Sequence, residues 1–165
     1  MEKRQLGQGG DFVSVIGFGA WPIGGGMGTV DEGTAISTVR AAIDHGITLI
    51  DTAQAYRVSE TVIGKALKGG WRERAFLATK VSGHYSRQAI RNAIETSLRE
   101  LQTEHVDLYQ IHWWNSQYPI DESMETMERL RQEGKTRYIG VSNFNVDQMR
   151  VASQTAPFHS LQPRY

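Results

Sequence analysis

Cysteine is absent from this chain of 165 residues, and proline occurs only four times. A chain without cysteine has no disulfide bond, no thiolate zinc site and no cysteine nucleophile, so any catalysis must use other side chains. The same absence leaves the redox compartment undecided. We take the cytoplasm as the default location.

An excess of charge of either sign is also missing, because 18 lysine and arginine residues balance 18 aspartate and glutamate residues. This balance argues against nucleic acid as a partner, and it gives no electrostatic reason to expect a membrane surface or an acidic ligand. No apolar run approaches the roughly 18 residues that span a bilayer. The stretch from Met1 to Gly7 lacks the apolar core of a signal peptide. We therefore expect a soluble protein that binds neither nucleic acid nor membrane.

Short apolar runs and helical patterns alternate along the chain, which is typical of successive βα units around a parallel sheet. Ahead of them, a glycine-rich hairpin is predicted from Lys3 to Val15. Six sheet strands follow, the first at Val13 to Gly19 and the last at Leu161–Gln162. Five helices separate them and begin near Asp31, Ser59, Ser86, Asp121 and Asn145. With no linker or internal repeat in view, we expect one domain over residues 1–165.

The length of the chain bears on the kind of sheet that these units form. A complete eight-stranded barrel of βα units needs about 250 residues, and 200 is near its lower limit. Two further βα units would bring this chain to that size. An open parallel sheet of six strands would leave two edges and apolar faces exposed. We therefore expect an α/β fold in the form of an incomplete barrel.

Polar side chains stand at or just past the ends of the predicted strands. Asp51 and Tyr56 follow the second strand, Lys80 ends the third, and His112 follows the fourth. The carboxyl ends of barrel strands share one face, and catalytic residues are usually found there. The sequence therefore predicts one active site built from all four side chains.

A carboxylate, a phenol, an ammonium and an imidazole in one site suit the reduction of a carbonyl group. The pKa of a free phenol is near 10, so Tyr56 is a poor acid at neutral pH unless its pKa is lowered. An ammonium about 4 Å away would lower that pKa by roughly three units at an effective dielectric constant near 20. Asp51 can keep a buried Lys80 charged. His112 can hydrogen-bond the substrate oxygen and direct the carbonyl toward a hydride donor.

Each of these residues also has a purely structural explanation. Asp51 is of a type common in turns and caps, and tyrosines such as Tyr56 are commonly half-buried packing. A lysine at a strand end is usually solvated, and His112 could be a hydrogen-bonded core histidine. The prediction of an active site rests on the coincidence that all four occur at the same end of consecutive strands.

Tryptophans near the strand ends are candidate walls of the substrate pocket. Trp21 falls in the long loop after the first strand, which the glycine run 24–26 makes flexible, and Trp113 and Trp114 follow His112 directly. An apolar, aromatic pocket would suit a small organic substrate. Packing against the core is an equal alternative for each. The glycine run lacks a following Gly-Lys-Ser/Thr, so it does not indicate a phosphate loop.

Four blocks of the sequence resemble the aldo-keto reductase family in their order and spacing. They are DTAQAY at 51–56 with Ser59-Glu60, ATK at 78–80, VDLYQIH at 106–112 and GKTRYIGVSNF at 134–144. The resemblance runs throughout the chain. It implies a (β/α)8 TIM barrel, here incomplete, and an NAD(P)H-dependent oxidoreductase that reduces aldehydes or ketones to alcohols.

The same resemblance assigns a role to each residue of the predicted site. Tyr56 becomes the general acid, Lys80 and Asp51 adjust its pKa, and His112 orients the substrate carbonyl. Arg57 departs from the family, which commonly has glycine there, and its side chain bulks the loop after the tyrosine.

The resemblance also implies a cofactor site. Ser142, Asn143 and Gln162 match positions that hold the nicotinamide carboxamide in the family. The implied cofactor is NADPH, less often NADH, and the implied partner is a small-molecule carbonyl compound. Most family contacts to the pyrophosphate and the adenosine phosphate come from strands seven and eight.

Two other classes of function stay open at this point. The chain could be a non-catalytic or regulatory binding subunit that retains the reductase fold. A metal-dependent hydrolase that uses His112 and Asp51 is the other class, but the remaining histidines lack ligand spacing such as His-x-x-x-His, so no metal site is predicted.

Overall fold

The computed structural model describes residues 1–7 and 9–164 of the chain. Gln8, in the predicted glycine-rich hairpin, and Tyr165 lie outside the described residues.

A small antiparallel hairpin precedes the main sheet. Its strands are β1 (Lys3–Gln5) and β2 (Phe12–Ser14), and the loop between them is closed by a hydrogen bond from the Leu6 N–H to the Asp11 carbonyl oxygen (2.9 Å). The predicted hairpin is thus confirmed.

The predicted start of the first sheet strand at Val13 is wrong. Val13 pairs with Arg4 of the hairpin, and the main-sheet strand β3 comprises only Phe18–Gly19. The reason lies at Ser14, whose hydroxyl oxygen accepts hydrogen bonds from the N–H groups of Thr48 (2.9 Å) and Leu49 (3.2 Å). These bonds dock the hairpin onto Thr48 and Leu49, where the second strand of the main sheet begins, so the chain enters the sheet only after Gly17.

The described residues contain a main sheet of six strands, separated by five α-helices, with the order in the sheet following the order in the chain. After β3, these elements are α1 (Glu32–Asp44), β4 (Leu49–Asp51), α2 (Ser59–Ala66), β5 (Phe76–Val81), α3 (Arg87–Leu101), β6 (Val106–Ile111), α4 (Ile120–Gln132), β7 (Thr136–Ser142), α5 (Val146–Thr155) and β8 (Ser160–Gln162). Among them is no helix with the length and apolar composition needed to cross a bilayer.

Every neighbouring pair in the main sheet is parallel, and a helix crosses over between each pair of strands from β3 to β8. Parallel strands are covered by their crossover helices, and all residues of β5 and β6 are accordingly buried. The larger apolar core lies between helices and sheet, and a smaller cluster that includes Val13, Phe76 and Leu108 joins the hairpin to the sheet. Consecutive parallel strands linked in this way form an incomplete (β/α)8 barrel.

Local capping chemistry sets where the helices begin. Asp31 accepts a hydrogen bond from the Thr34 N–H (2.8 Å) at the start of α1, and Ser86 does the same for Ala89 (3.4 Å) at the start of α3. Asn145 forms a reciprocal capping box with the residue three positions later, at the start of α5. Such side chains satisfy backbone N–H groups that have no partner within the helix. The three predicted helix starts are therefore confirmed.

Helices α2 and α3 approach each other closely at Gly64. A Cβ atom at this position would lie 2.5 Å from the Glu100 carbonyl oxygen and 2.8 Å from the Leu101 carbonyl carbon. Only glycine lets the two backbones meet at this distance, because any side chain would push the helices apart.

Gly64→Ala tests this close approach. We expect it to lower the free energy of unfolding by about 1–3 kcal/mol, measured by urea denaturation followed by circular dichroism. Gly33→Ala is the matched control in the first turn of α1, where the added Cβ would approach the end of the Asp31 side chain at 3.3 Å. The control should stay within about 1 kcal/mol of the wild type. Equal effects of the two substitutions would contradict the packing argument.

Candidate active site

The parallel register aligns the carboxyl ends of the central strands. Asp51, the last residue of β4, pairs with Ala78 of β5, and Lys80 of β5 pairs with Gln110 of β6. Lys80 lies one residue before the end of its strand, and His112 lies one residue beyond the end of β6. The four predicted side chains consequently meet at one edge of the sheet.

Lys80 is almost fully buried, with 1% of its side chain exposed, and each N–H of its ammonium has an acceptor. The acceptors are the two carboxylate oxygens of Asp51 (2.8 and 2.7 Å) and the carbonyl oxygen of Thr52 (2.9 Å). Burial lowers the pKa of Lys80, and the attraction of Asp51 opposes that effect. The predicted pairing of these two residues is present, and both carboxylate oxygens of Asp51 accept hydrogen bonds from the ammonium.

Tyr56 reaches the same place from the turn that follows β4. The Tyr56 N–H donates to the Ala53 carbonyl oxygen (2.9 Å), which closes that turn. The Lys80 Nζ lies 5.2 Å from the centroid of the tyrosine ring, and the ring of His112 lies edge-on at 5.6 Å. Phenol, imidazole and ammonium therefore adjoin one another although they come from three different strands.

The predicted lowering of the Tyr56 pKa is wrong for this arrangement. Burial of the hydroxyl raises the Tyr56 pKa above its ordinary value, and the negative charge of Asp51 raises it further. The three N–H groups of Lys80 point to Asp51 and Thr52, so the ammonium charge is balanced locally. An ammonium balanced in this way does not offset the effect of burial on the pKa of the phenol.

His112 is held at its backbone and at its ring. Its N–H donates to the Val81 carbonyl oxygen (3.1 Å), and its Nδ1 lies 2.9 Å from the Ser82 hydroxyl oxygen. Burial is the main cause that lowers the pKa of His112 to about 4, and the charge of Lys80 adds to it. The imidazole is therefore neutral at pH 7, with a hydrogen on one ring nitrogen only.

The three residues predicted to hold a carboxamide lie beside these groups. The Ser142 hydroxyl donates to the Gln162 carbonyl oxygen (2.9 Å), and the Asn143 side-chain NH₂ donates to the His112 carbonyl oxygen (3.0 Å). Within the described part of the chain, the side-chain oxygen of Asn143 receives no hydrogen bond, so it can accept one from a ligand. Asn143 adopts a left-handed backbone conformation (φ 60°), which asparagine tolerates better than most residues.

One cavity of about 210 Å³ connects both sets of residues. Its lining comprises Tyr56, Lys80, His112, Trp113, Ser142, Asn143, Gln162, Pro163 and Arg164. The predicted wall Trp113 is among them, whereas Trp21 is not. Trp21 starts a 3₁₀ turn over Trp21–Gly24, and its ring packs so closely on Gly26 that a Cβ there would overlap it.

The loop after the first strand of the main sheet contains this 3₁₀ turn, which packs against the site. A Cβ at Gly24 would overlap the carbonyl oxygen of Tyr56, so the turn packs directly on the tyrosine backbone. Arg57 follows with a left-handed backbone conformation (φ 51°), which is uncommon for residues with a side chain. Its guanidinium points toward Gly25, where it would lie 3.7 Å from an added Cβ.

Sequence reasoning missed a series of side-chain hydrogen bonds that positions Gln162. The Ser160 hydroxyl donates to the side-chain oxygen of Gln110 (3.1 Å), and the Gln110 NH₂ donates to the side-chain oxygen of Gln162 (3.2 Å). Gly140 lies between these strands in register, and a Cβ there would overlap the Ser160 hydroxyl. The buried glutamine in the apolar run of β6 was the available signal, since buried amides need partners.

The metal-hydrolase alternative needs a cluster of ligands. Among residues 1–7 and 9–164, no three histidine, aspartate or glutamate side chains converge as a group that could hold a metal ion.

The ion pair of Lys80 and Asp51 leads to a prediction about stability. Asp51→Asn leaves a buried ammonium without a carboxylate, so we expect a loss of about 3 kcal/mol in the free energy of unfolding. The double variant Asp51→Asn/Lys80→Met removes both charges and should recover more than half of that loss. Urea denaturation at pH 7 measures both values. A double variant less stable than Asp51→Asn would show that the charge is not the cause.

The low pKa of His112 leads to a prediction about pH. The pKa is about 4 in the folded chain and about 6.5 when unfolded, so the unfolded state binds more protons between these values. The contribution of neutral His112 to stability is therefore complete above pH 6.5 and is lost as the pH falls toward 4. Compared with His112→Gln, the wild type should lose about 1–2 kcal/mol more between pH 7 and pH 4, because solvent screening of the partly buried ring reduces the full effect of the shift. Urea denaturation at both pH values measures this, and parallel losses would contradict the buried, neutral imidazole.

Comparisons with known proteins agree on one family. The chain matches the model of the aldo/keto reductase family over residues 15–165. It is 46% identical to aldo-keto reductase YhdN of Bacillus subtilis, an alignment that covers 100% of this chain and 54% of YhdN. It is 32% identical to the NADH-specific methylglyoxal reductase of Escherichia coli, which covers 100% of this chain and 59% of that enzyme. The chain thus spans between half and two thirds of the length of these curated relatives.

A solved structure gives the same result for the fold. The aldo-keto reductase of Klebsiella pneumoniae in complex with NADPH superposes with a TM-score of 0.84 and 38% sequence identity, over 94% of this chain and 55% of that one. The fold is therefore an incomplete (β/α)8 barrel of aldo-keto reductase type, as the sequence predicted. The family model and the relatives together show that this chain belongs to the aldo/keto reductase family.

Proposed function

We propose that this protein reduces aldehyde or ketone carbonyls to alcohols with a nicotinamide dinucleotide as reductant. The observation that carries the proposal is the shared cavity, in which a phenol, a neutral imidazole and a buried ammonium line about 210 Å³ of space. Asp51 pairs with that ammonium from outside the cavity lining. Among the described residues that line the cavity are hydrogen-bond donors for a carbonyl oxygen and no carboxylate that would repel it.

Tyr56 is the proton donor in this proposal. Its raised pKa is no obstacle, because the reduced carbonyl is an alkoxide, and an alcohol, like water, is a far weaker acid than a phenol. Proton transfer from a phenol to an alkoxide is therefore favourable even when the pKa of the phenol exceeds its free value near 10. The acid needs to be protonated and close to the oxygen, and burial keeps it protonated.

Lys80 and Asp51 act on the phenolate that remains after proton transfer. The ammonium lies 5.2 Å from the centre of the tyrosine ring, so it stabilises the negative charge when that charge appears. In the resting state Asp51 balances the ammonium and keeps it protonated despite burial. The pair thus supplies a fixed positive group without leaving an uncompensated charge in the core.

His112 orients the substrate. A neutral imidazole can donate one hydrogen bond from Nε2 to the carbonyl oxygen, and Tyr56 can donate a second from its hydroxyl. Two donors from different strands fix the direction of the carbonyl. Trp113 forms a wall of the same cavity and offers an apolar surface to the rest of the molecule. We therefore propose a small-molecule carbonyl compound as the substrate.

The donor set beside Tyr56 fits a carboxamide. A nicotinamide carboxamide presents one carbonyl oxygen and one NH₂ group, and the open side-chain oxygen of Asn143 can accept from that NH₂. Ser142 and Gln162 flank it, and their own hydrogen bonds hold them in place. When bound, the nicotinamide supplies the hydride. We propose NADPH, as in the Klebsiella complex, with NADH as the second choice because one E. coli relative is NADH-specific by name.

Tyr56→Phe tests the proposed function most directly. The purified chain is mixed with NADPH and a simple aldehyde such as methylglyoxal, and the loss of NADPH absorbance is followed. We expect Tyr56→Phe to lower the rate by about 10²–10⁴-fold, the usual contribution of a general acid. The control is Tyr138→Phe, which removes the hydroxyl of a ring that stacks on Phe76 away from the cavity.

The outcomes separate the two remaining functions. Equal rates in the wild type and Tyr56→Phe would reject Tyr56 as the acid. Quenching of tryptophan fluorescence by NADPH without any turnover would favour the non-catalytic binding subunit instead.

A further inference from the structure

We propose that Ser82 is a positioning residue that fixes His112 in the tautomer with its hydrogen on Nε2. The Ser82 hydroxyl does so by donating its own hydrogen to Nδ1. The consequence for catalysis rests on the proposed function, because only the Nε2–H form can donate to a carbonyl oxygen in the cavity. The tautomer itself is a property of the chain and can be measured without any cofactor.

The contact follows from the register of the sheet. Val81 pairs with Ile111 at the ends of β5 and β6, so the next residues, Ser82 and His112, leave neighbouring strands side by side. The hydrogen bond from the His112 N–H to the Val81 carbonyl oxygen (3.1 Å) extends the ladder by one step. The Ser82 hydroxyl oxygen then lies 2.9 Å from the His112 Nδ1, a normal hydrogen-bond distance.

The direction of that hydrogen bond decides which nitrogen faces the substrate as a donor. A serine hydroxyl can donate or accept, and neutral imidazole has one nitrogen of each kind. If Ser82 donates to Nδ1, the ring hydrogen lies on Nε2. In the opposite arrangement Nδ1 donates to the serine oxygen, and Nε2 would turn a lone pair toward the cavity.

The described surroundings favour donation by Ser82. Within residues 1–7 and 9–164, Nδ1 is the acceptor that lies within reach of the Ser82 hydroxyl hydrogen. The charged and titratable groups that adjoin the ring are Lys80 and Tyr56, and neither hydrogen-bonds to Nδ1. With the hydrogen on Nε2, the serine hydrogen has its acceptor and the imidazole hydrogen is free for a carbonyl oxygen. The reverse arrangement leaves the serine hydrogen without an acceptor among the described residues and sets a lone pair of Nε2 against the carbonyl oxygen.

The test is a direct reading of the tautomer by NMR. The chain is labelled with ¹⁵N-histidine, and two-bond ¹H–¹⁵N correlation at pH 7.5 shows which ring nitrogen carries the hydrogen. His112→Gln assigns the His112 signals among those of the five histidines. We expect Nε2–H in the wild type and in Ser82→Thr, which retains a hydroxyl. In Ser82→Ala the ¹⁵N chemical shifts of the two His112 ring nitrogens should move closer to each other, because the Nδ1–H form gains population.

The control and the overturning results are equally specific. Ser37→Ala removes a serine hydroxyl that bonds to the Thr34 carbonyl oxygen on α1, far along the chain, and should leave the His112 signals unchanged. An Nδ1–H form in the wild type would overturn the proposal. Ser82→Ala with signals identical to those of the wild type would overturn it as well.

Kinetics then test the consequence for catalysis. Ser82→Ala should lower kcat by roughly three- to tenfold with little change in KM, since one neutral hydrogen bond is lost, and Ser82→Thr should restore it. A chain that shows no turnover in any form would reject the proposed function, while the NMR result would still decide the role of Ser82. Full kcat in Ser82→Ala would reject its role in catalysis.

Discussion

The arrangement of the candidate site depends on the need to pair the buried ammonium of Lys80. A lysine nitrogen with almost no access to water needs an acceptor for each N–H and a negative charge nearby. Asp51 and Thr52 supply both, and they do so from the end of the neighbouring strand. The requirement therefore joins β4 to β5 at their carboxyl ends. It also fixes the start of the turn that carries Tyr56.

This pairing leaves the group of Lys80, Asp51, His112 and Tyr56 without net charge in its resting state, while Arg164 adds a positive charge to the cavity lining. The Lys80 charge is balanced by Asp51, His112 is uncharged at pH 7, and Tyr56 keeps its proton. A further carboxyl group, that of Glu60, is buried beneath and accepts from the Thr79 hydroxyl (2.6 Å), while burial raises its pKa. Because these four side chains carry no net charge, they leave no uncompensated charge beside an uncharged carbonyl. New charge appears on them only when the carbonyl is reduced, which is when fixed donors contribute most.

Two glycines show how closely the backbone surrounds this site. Gly24 brings the 3₁₀ turn onto the Tyr56 carbonyl group, and Gly140 leaves room for Ser160 to reach Gln110 across β7. A side chain at either position would displace a group that positions a site residue. The fold thus holds the tyrosine and the Gln162 amide by backbone contact, in addition to their hydrogen bonds.

The sequence by itself determined the order of strands and helices, three helix starts and the strand ends that carry the site residues, because caps and apolar periodicity are local properties. The tertiary structure alone decided that the Tyr56 phenol is half-buried and close to Asp51, and both effects reverse the expected shift of its pKa. It also decided that Val13 belongs to the hairpin, that Trp21 packs on Gly26, and that Ser82 contacts the ring of His112. These facts depend on strand register and on competition between neighbours for hydrogen bonds. A linear pattern places such residues near each other, but the packed strands set the distances and directions between their atoms.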